Sequence, residues 1–477
     1  MTKRIIGPFN RVEGDLEVTL DIDAGLVKEA HVNASMFRGF EQILQGRPAL
    51  DALSITPRIC GICSVSQSVA SAQALSEAFG ITPEPNGQLG VNLVHAAENL
   101  SDHLTHFYLF FMPDFARKVY AEKSWYGDIE QRFCANAGTG AAQWLKARAR
   151  LLHITGILAG KWPHSLAIQP GGLTRSPDVS DLIRVRSVIA DTRVFLESNV
   201  FGCTVEEMAG LSTLDDLNRV KGGDLARFMT LVDDLGLADL GQGYARFMSF
   251  GAYHLQDANL WRSGVMDGGV LQDLKPDSFD EDPAHAWVMG DKAHPAQGDT
   301  QPFVDREGAY SWCKAARVDS QPVEVGAVAR QLVAGQPLIS ALIGSGPANV
   351  FVRILARMVE SARLIQSMES WIGDMEASAP VCVDDVDVHD INGEGAGLVE
   401  AARGSLGHWM RVKRGEIQHY QIIAPTTWNF SPRDGQGIPG PLEHALAGTA
   451  VDESEKSPVQ VQHVVRSFDP CMVCTVH

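Results

Sequence analysis

Apolar and polar residues alternate through Leu16, Val18, Leu20 and Ile22, break at Asp23-Ala24-Gly25, and resume in LVKEAHV. That period of two predicts a β-hairpin closed by a small-residue turn. The period lengthens over residues 91–111, where Leu93, Ala97, Leu100, Leu104, Phe107 and Phe111 form an apolar stripe and His95, Asn99, Asp102 and His106 a polar one. Spacings of three and four predict a helix there. A second long helix is predicted over 349–373, with Ile354, Met358, Ala362, Ile365 and Met368 on one face. Alternation returns in GHWMRVKRGEIQHYQII about Arg414-Gly415, a second hairpin. Residues 265–325 are rich in Gly, Pro and Asp and weakly periodic, as a surface excursion or insertion would be. No repeat, low-complexity block or glycine-rich linker divides the chain. The pattern predicts a mainly α chain with small β-sheets (α+β), organised as one large domain over 1–477.

Composition narrows the class. A length of 477 residues is about three domains at ~150 residues each, enough to bury a large core without disulfide staples. A hydrophobic fraction of 45% with 21% charged residues excludes a disordered chain. Forty basic against 58 acidic residues leave a net charge of −18, which repels phosphate backbones and anionic membrane surfaces. No apolar run reaches the ~18 residues of a membrane span, and Glu13 and Asp15 arrive before any signal-peptide core could form. A soluble, cytoplasmic protein that does not bind nucleic acid is expected.

Two cysteine pairs share one spacing, Cys60/Cys63 in PRICGICSVSQS and Cys471/Cys474 in FDPCMVCTVH, while Cys134, Cys203, Cys313 and Cys382 stand alone. In a reducing compartment C-x-x-C is more often a metal site or redox dithiol than a stable disulfide. Structural zinc on four thiolates is the plain alternative. Zinc-ribbon pairs, however, lie ~15–20 residues apart, whereas these sit at opposite ends of the chain. Thiolates drawn from both ends point to a buried central site, and soft sulfur donors suit nickel, zinc, copper(I) or iron.

Together, RICGIC and DPCMVCTVH resemble the two signature motifs of the large, catalytic subunit of nickel–iron hydrogenases. RVEGD, MFRGFEQIL, DHLTHFY, GKWPH, AARGSLGHW and YQIIAPTTWNFSPRD extend the resemblance, in the family's order, from residue 7 to the last. The resemblance implies that family's fold, with a buried metal site joining the N- and C-terminal motifs. It implies that Cys60 and Cys471 are terminal ligands of nickel, and that Cys63 and Cys474 bridge nickel to an iron carrying carbon monoxide and cyanide. It places Arg403 over the open nickel position, held by Asp102 and Asp469, although Ala402 replaces the proline usual before that arginine. An arginine with a pKa above ~12 is no ordinary base, and a buried ion pair is the plain alternative.

Glu13 matches the carboxylate that passes protons away from a nickel thiolate, a role compatible with a carboxyl whose pKa rises on burial. Glu41, the Ile422 carbonyl and His477 match the ligands of a hard metal, usually magnesium, for which oxygen donors are suited. A chain ending at His477 corresponds to the family's processed form. The four remaining cysteines have no cluster spacing, so no iron–sulfur cluster is expected in this chain. The electrons released from H2 then require a partner, and the resemblance implies a small subunit with iron–sulfur clusters; His164 matches a histidine near that interface. His95, His103 and His106 read as structural.

Three further positions depart from the commonest pattern. Gln67 stands where histidine is usual, and Ile62 and Phe110 replace smaller residues on the gas path. These, with CSVSQS, are similar to the hydrogen-sensing (regulatory) hydrogenases. Bulk at 62 and 110 would narrow a close-packed channel, admitting H2 while hindering O2, though simple repacking of the core is the alternative. The expectation is therefore a slow hydrogenase that senses H2 and reports to a histidine kinase; a respiratory uptake hydrogenase is the second reading.

Overall fold

The computed structural model describes residues 2–256, 258–383, 391–452, 455 and 457–477. An antiparallel sheet opens the chain, in the order β1 (Thr2–Ile6), β2 (Leu16–Asp23) and β3 (Leu26–Ala34). The turn between β2 and β3 has Ala24 at φ 50° and Gly25 at φ 76°, the paired left-handed conformation that matches strand twist and favours small residues. Helices α1 (Ser64–Phe79) and α2 (Pro85–Thr105) follow, and a π-helical turn over His106–Phe111 continues α2. The long α3 (Val350–Asp374) precedes a second antiparallel sheet of β4 (Gly393–Ala401), β5 (Gly404–Lys413) and β6 (Glu416–Ile423). Its second hairpin turns at Arg414 and Gly415, again both with positive φ. Finally α4 (Val459–Ser467) leads to the single turn α5 (Met472–Thr475).

Both predicted hairpins and both long helices are present, and mixed helix with small sheets is the observed class. The polar stripe of the 91–111 helix faces the interior. His95, Asn99, Asp102 and His106 are all buried, because each meets a polar partner from another element. Residues 265–325 also differ from a simple excursion: Met289, Phe303 and Val304 are exposed, but Phe279, Ala286, Val288, Cys313 and Ala315–Val318 are core. The weak periodicity reflects short irregular strands whose buried polar members are paired, as Arg317 is with Asp434 and Lys314 with Glu281.

One packing detail positions the first cysteine pair. Gly393, Gly395 and Gly397 alternate along β4 and face Ala78, Ala74 and Ala70 along α1. A Cβ on Gly395 would lie 2.1 Å from the Ala74 carbonyl oxygen, and one on Gly397 1.8 Å from that of Ala70. Only glycine permits this approach, which seats α1, and Cys63 at its start, against the C-terminal sheet.

Candidate metal centre

The four cysteines of the two pairs converge. Cys60 Sγ lies 3.5 Å from Cys471 Sγ, Cys63 Sγ 3.2 Å from Cys474 Sγ, and Cys471 Sγ 3.1 Å from Cys474 Sγ. All four are buried thiols without a disulfide. Cys60 is pulled well below the usual thiol range by hydrogen bonds from its three neighbours. Cys63 is raised well above it, chiefly by its hydrogen bonding with Cys471. Burial raises Cys471 and Cys474. The cluster thus holds one negative charge readily and more only if cations compensate. A metal pair that deprotonates coordinating thiols supplies that compensation.

Several groups hold the two motifs together. The Arg38 guanidinium donates to the Ile59 carbonyl at 2.7 Å and also to the Val473 carbonyl, so one side chain staples both cysteine loops. Met472 N–H donates to the Glu13 carbonyl at 2.7 Å, and Glu13 bridges to Cys471 as a parallel β-pair. The half-buried Glu13 carboxyl is raised by burial and by Cys60, against a smaller pull from Arg403. Thr426 and Thr427 fasten the last turn, through Cys471 N–H at 3.3 Å and the Thr475 carbonyl at 2.9 Å.

Arg403 follows the strand end of β4 and is buried. It donates to Asp102 Oδ2, to Asp469 Oδ1 at 3.1 Å and to the Asp469 carbonyl at 3.0 Å. Burial alone would lower its pKa; Asp102, Asp469 and the cysteines outweigh that and hold it fully charged. Burial pushes Asp102 up, against Arg403, whereas on Asp469 Arg403 prevails and holds it low. Asp102 Oδ1 and Asp469 Oδ2 are buried and, among the described residues, have no hydrogen-bond partner.

Glu41 and His477 also meet: His477 Nδ1 lies 3.1 Å from Glu41 Oε1, and the His477 carbonyl accepts from Gly39 N–H at 2.8 Å. Their other donor atoms, Glu41 Oε2 and His477 Nε2, are buried and, among the described residues, without hydrogen-bond partners. Ile422 pairs with His408 across β5 and β6, and burial holds His408 well below the usual imidazole range. Orphaned oxygen and nitrogen donors at this end of β6 fit a hard cation.

Gln67, on the second turn of α1, is buried and accepts from His408 Nε2 at 2.8 Å. His164 sits beside the first motif, with its N–H donating to Ser64 Oγ at 3.2 Å and its Nδ1 2.9 Å from the Pro57 carbonyl. Ile62 and Phe110 are both half-buried, the former between the paired cysteines and the latter on the π-helical turn after α2. The histidines read as structural are partnered inside the fold: His95 with Ser66, His103 with Glu360 and His106 with the Arg466 carbonyl.

Two residues emerge only from the structure. One is Arg38, above. The other is Glu98, whose carboxylate accepts from Val65 N–H at 2.8 Å, Ser66 N–H at 2.9 Å, Ser66 Oγ at 3.0 Å and Trp162 Nε1 at 3.0 Å. It satisfies the open N–H groups at the start of α1, directly after Cys63. Its place one turn before Asp102 on α2 was the available signal.

The comparisons agree with this geometry. The family Nickel-dependent hydrogenase matches residues 38–125 and 139–477. The periplasmic [NiFeSe] hydrogenase large subunit of Desulfomicrobium baculatum is 30% identical, over 99% of this chain and 94% of its own length. The hydrogenase-2 large chain of Escherichia coli is 26% identical over 100% and 97%, and the uptake hydrogenase large subunit of Azotobacter chroococcum 26% over 99% and 95%. The reduced Ni-Fe-Se hydrogenase of D. vulgaris Hildenborough superposes with a TM-score of 0.86, at 28% identity and full coverage of both chains. A reduced, active form of the Desulfomicrobium baculatum enzyme gives 0.86 at 27% identity, again covering both chains fully. The chain belongs to the nickel-dependent hydrogenases, as their large subunit. It is accordingly an H2 oxidoreductase, built around a nickel–iron centre. Among the described residues no helix is long and apolar enough to cross a membrane.

Proposed function

We propose that this chain splits H2 heterolytically at a nickel–iron centre held by Cys60, Cys63, Cys471 and Cys474, with carbon monoxide and cyanide on the iron. The observation that carries the reading is the convergence of four buried thiols from the two chain ends to within 3.1–3.5 Å of a neighbour. When bound, the metals polarise H2 as Lewis acids and take up its electrons. The chain's own task is the proton. Cys471 receives it, and Glu13, joined to Cys471 by backbone pairing, carries it away. Arg403, fixed by Asp102 and Asp469, supplies a permanent positive charge beside Cys471 and Cys60. Glu41, the Ile422 carbonyl and His477 would hold Mg2+, which would tie His477 to the core. Electrons leave through an iron–sulfur small subunit, near which His164 lies.

Glu13→Gln tests the relay: H2 oxidation and hydrogen–deuterium exchange fall to background while nickel and iron stay bound. Unchanged turnover in that variant refutes it.

The finer role rests on Gln67, Ile62 and Phe110, which support a cytoplasmic H2 sensor that turns over slowly and signals to a histidine kinase. The named relatives include uptake and periplasmic enzymes, so respiratory uptake is the competing reading. H2-dependent phosphorylation of a kinase bound to the complex supports sensing; rapid H2-driven reduction of a respiratory carrier, with no kinase response, supports uptake.

A further inference from the structure

Arg403 stands at the tip of a hairpin. Ala401 and Gly404 are the last paired residues of β4 and β5, so Ala402 and Arg403 form a two-residue turn. A turn of that length that follows strand twist takes positive φ at its first central residue. Neither Ala402 nor Arg403 does; the positive φ falls on Gly404, at 133°. Turn chemistry alone therefore leaves the tip loosely specified. Asp102 and Asp469 hold the guanidinium end of Arg403, and its backbone end needs a hold of its own.

Arg330 supplies that hold. It lies on the short helix Ala327–Val333 and is buried. Its Nη1 donates to the Ala401 carbonyl at 2.7 Å and its Nη2 to the Ala402 carbonyl at 2.9 Å. The remaining N–H groups reach two carboxylates. Nε donates to Glu360 Oε2 at 3.0 Å, Nη2 to Glu360 Oε1 at 2.6 Å and Nη1 to Glu400 Oε2 at 2.8 Å. All five donors of a guanidinium are thus engaged, in a planar fork that cannot release one side without tilting the other. Glu360 is itself fixed on α3 by His103 Nε2 at 2.8 Å and Gln331 Nε2 at 2.9 Å. The same short helix meets the tip a second time: a Cβ on Gly404 would lie 2.7 Å from the backbone nitrogen of Gly326, its N-cap.

We propose that Arg330 is a positioning residue for Arg403: anchored on Glu360 and Glu400, it fixes the turn from which the Arg403 side chain reaches Asp102 and Asp469. This rests on the proposed nickel–iron centre and deepens it, by assigning the residue that aims the Arg403 charge. A lysine at 330 keeps the charge that Glu360 and Glu400 require, but it donates from a single nitrogen and cannot span both carboxylates and both carbonyls. Proline at 402 restores stiffness by another route. It presets φ at about −65° in the first central position of a turn, and Ala402 lies outside the strand pairing, so no ladder bond is lost.

The test uses the complete complex with its partner subunit, in Arg330→Lys and in Arg330→Lys with Ala402→Pro. Amide hydrogen exchange at residues 402–406, nickel content and H2 oxidation are measured in each. In Arg330→Lys, with the fork lost, protection at 402–406 is expected to fall about tenfold while β2 and β3 stay unchanged. Nickel content stays the same and H2 oxidation falls. Ala402→Pro on that background is expected to recover most of the protection and of the turnover, which a merely charge-balancing role for Arg330 would not allow. Wild-type protection or wild-type turnover in Arg330→Lys overturns the proposal, and so does a loss that Ala402→Pro leaves untouched. If Arg330→Lys yields no folded complex, Glu360→Asp, which keeps the charge and draws the anchor back by one methylene, is read in the same way. An unaltered complex without nickel overturns the nickel–iron reading, whereas the exchange result decides the Arg330 clamp independently of the metals.

Discussion

Removing the Glu98 carboxylate should loosen the first cysteine motif from behind. In Glu98→Ala, Val65 N–H, Ser66 N–H and Trp162 Nε1–H all lose their acceptor, and each buried unsatisfied donor costs ~1–3 kcal/mol. Three of them sum to ~3–9 kcal/mol. Trp162 is only partly buried and can turn its Nε1–H to water, which places the effect in the lower half of that range. At ~3 kcal/mol, the open form of the first turn of α1 becomes about a hundredfold more populated. Amide hydrogen exchange resolved to residues 64–70 reads this directly: protection should fall by about two orders of magnitude there and stay unchanged in β2 and β3. Nickel per chain should fall with it. Glu98→Gln keeps one acceptor oxygen and should lie between. Wild-type protection at residues 64–70 in Glu98→Ala would refute the assigned role.

Other outcomes follow from the same structure. Ile62→Val combined with Phe110→Leu should render H2 oxidation oxygen-sensitive in an aerobic activity assay; undiminished tolerance removes these residues from the gas route. Glu443, which accepts from Val32 N–H and Tyr310 Oη at 2.9 Å each, is pushed by burial up to about 7. Its folded pKa exceeds the unfolded value, so the stability it contributes is complete below about pH 4.5 and is lost as pH rises through about 7. Glu443→Gln should remove about 3 kcal/mol of that pH dependence in denaturant titrations, and an unchanged pH profile would exclude Glu443 as its source.

Much of this was legible in the chain, for identifiable reasons. The hairpins announced themselves because alternation and turn chemistry agree at Ala24-Gly25 and Arg414-Gly415, where the backbone takes positive φ. The cysteine convergence was legible because two identical spacings at opposite ends have few other uses. Pairing of buried charges was legible only where a family motif carried it, as for Arg403 with Asp102 and Asp469. Periodicity shows that Glu98 shares a helix with Asp102, but not that it caps α1. The same holds for Arg330, whose guanidinium bridges Glu360 and Glu400 deep in the core. A polar stripe reads as a wet surface unless its partners, hundreds of residues away, are known. Arg38 was hidden in the same way: nothing local marks an arginine whose task is to join carbonyls at residues 59 and 473.

The central claim is a binuclear centre gripped by thiolates from both termini. Elemental analysis with infrared spectroscopy of the purified complex tests it most directly. The account predicts one nickel in this chain beside a low-spin iron whose carbonyl and cyanide stretches fill an otherwise empty spectral window. Zinc alone, with that window blank, would contradict it.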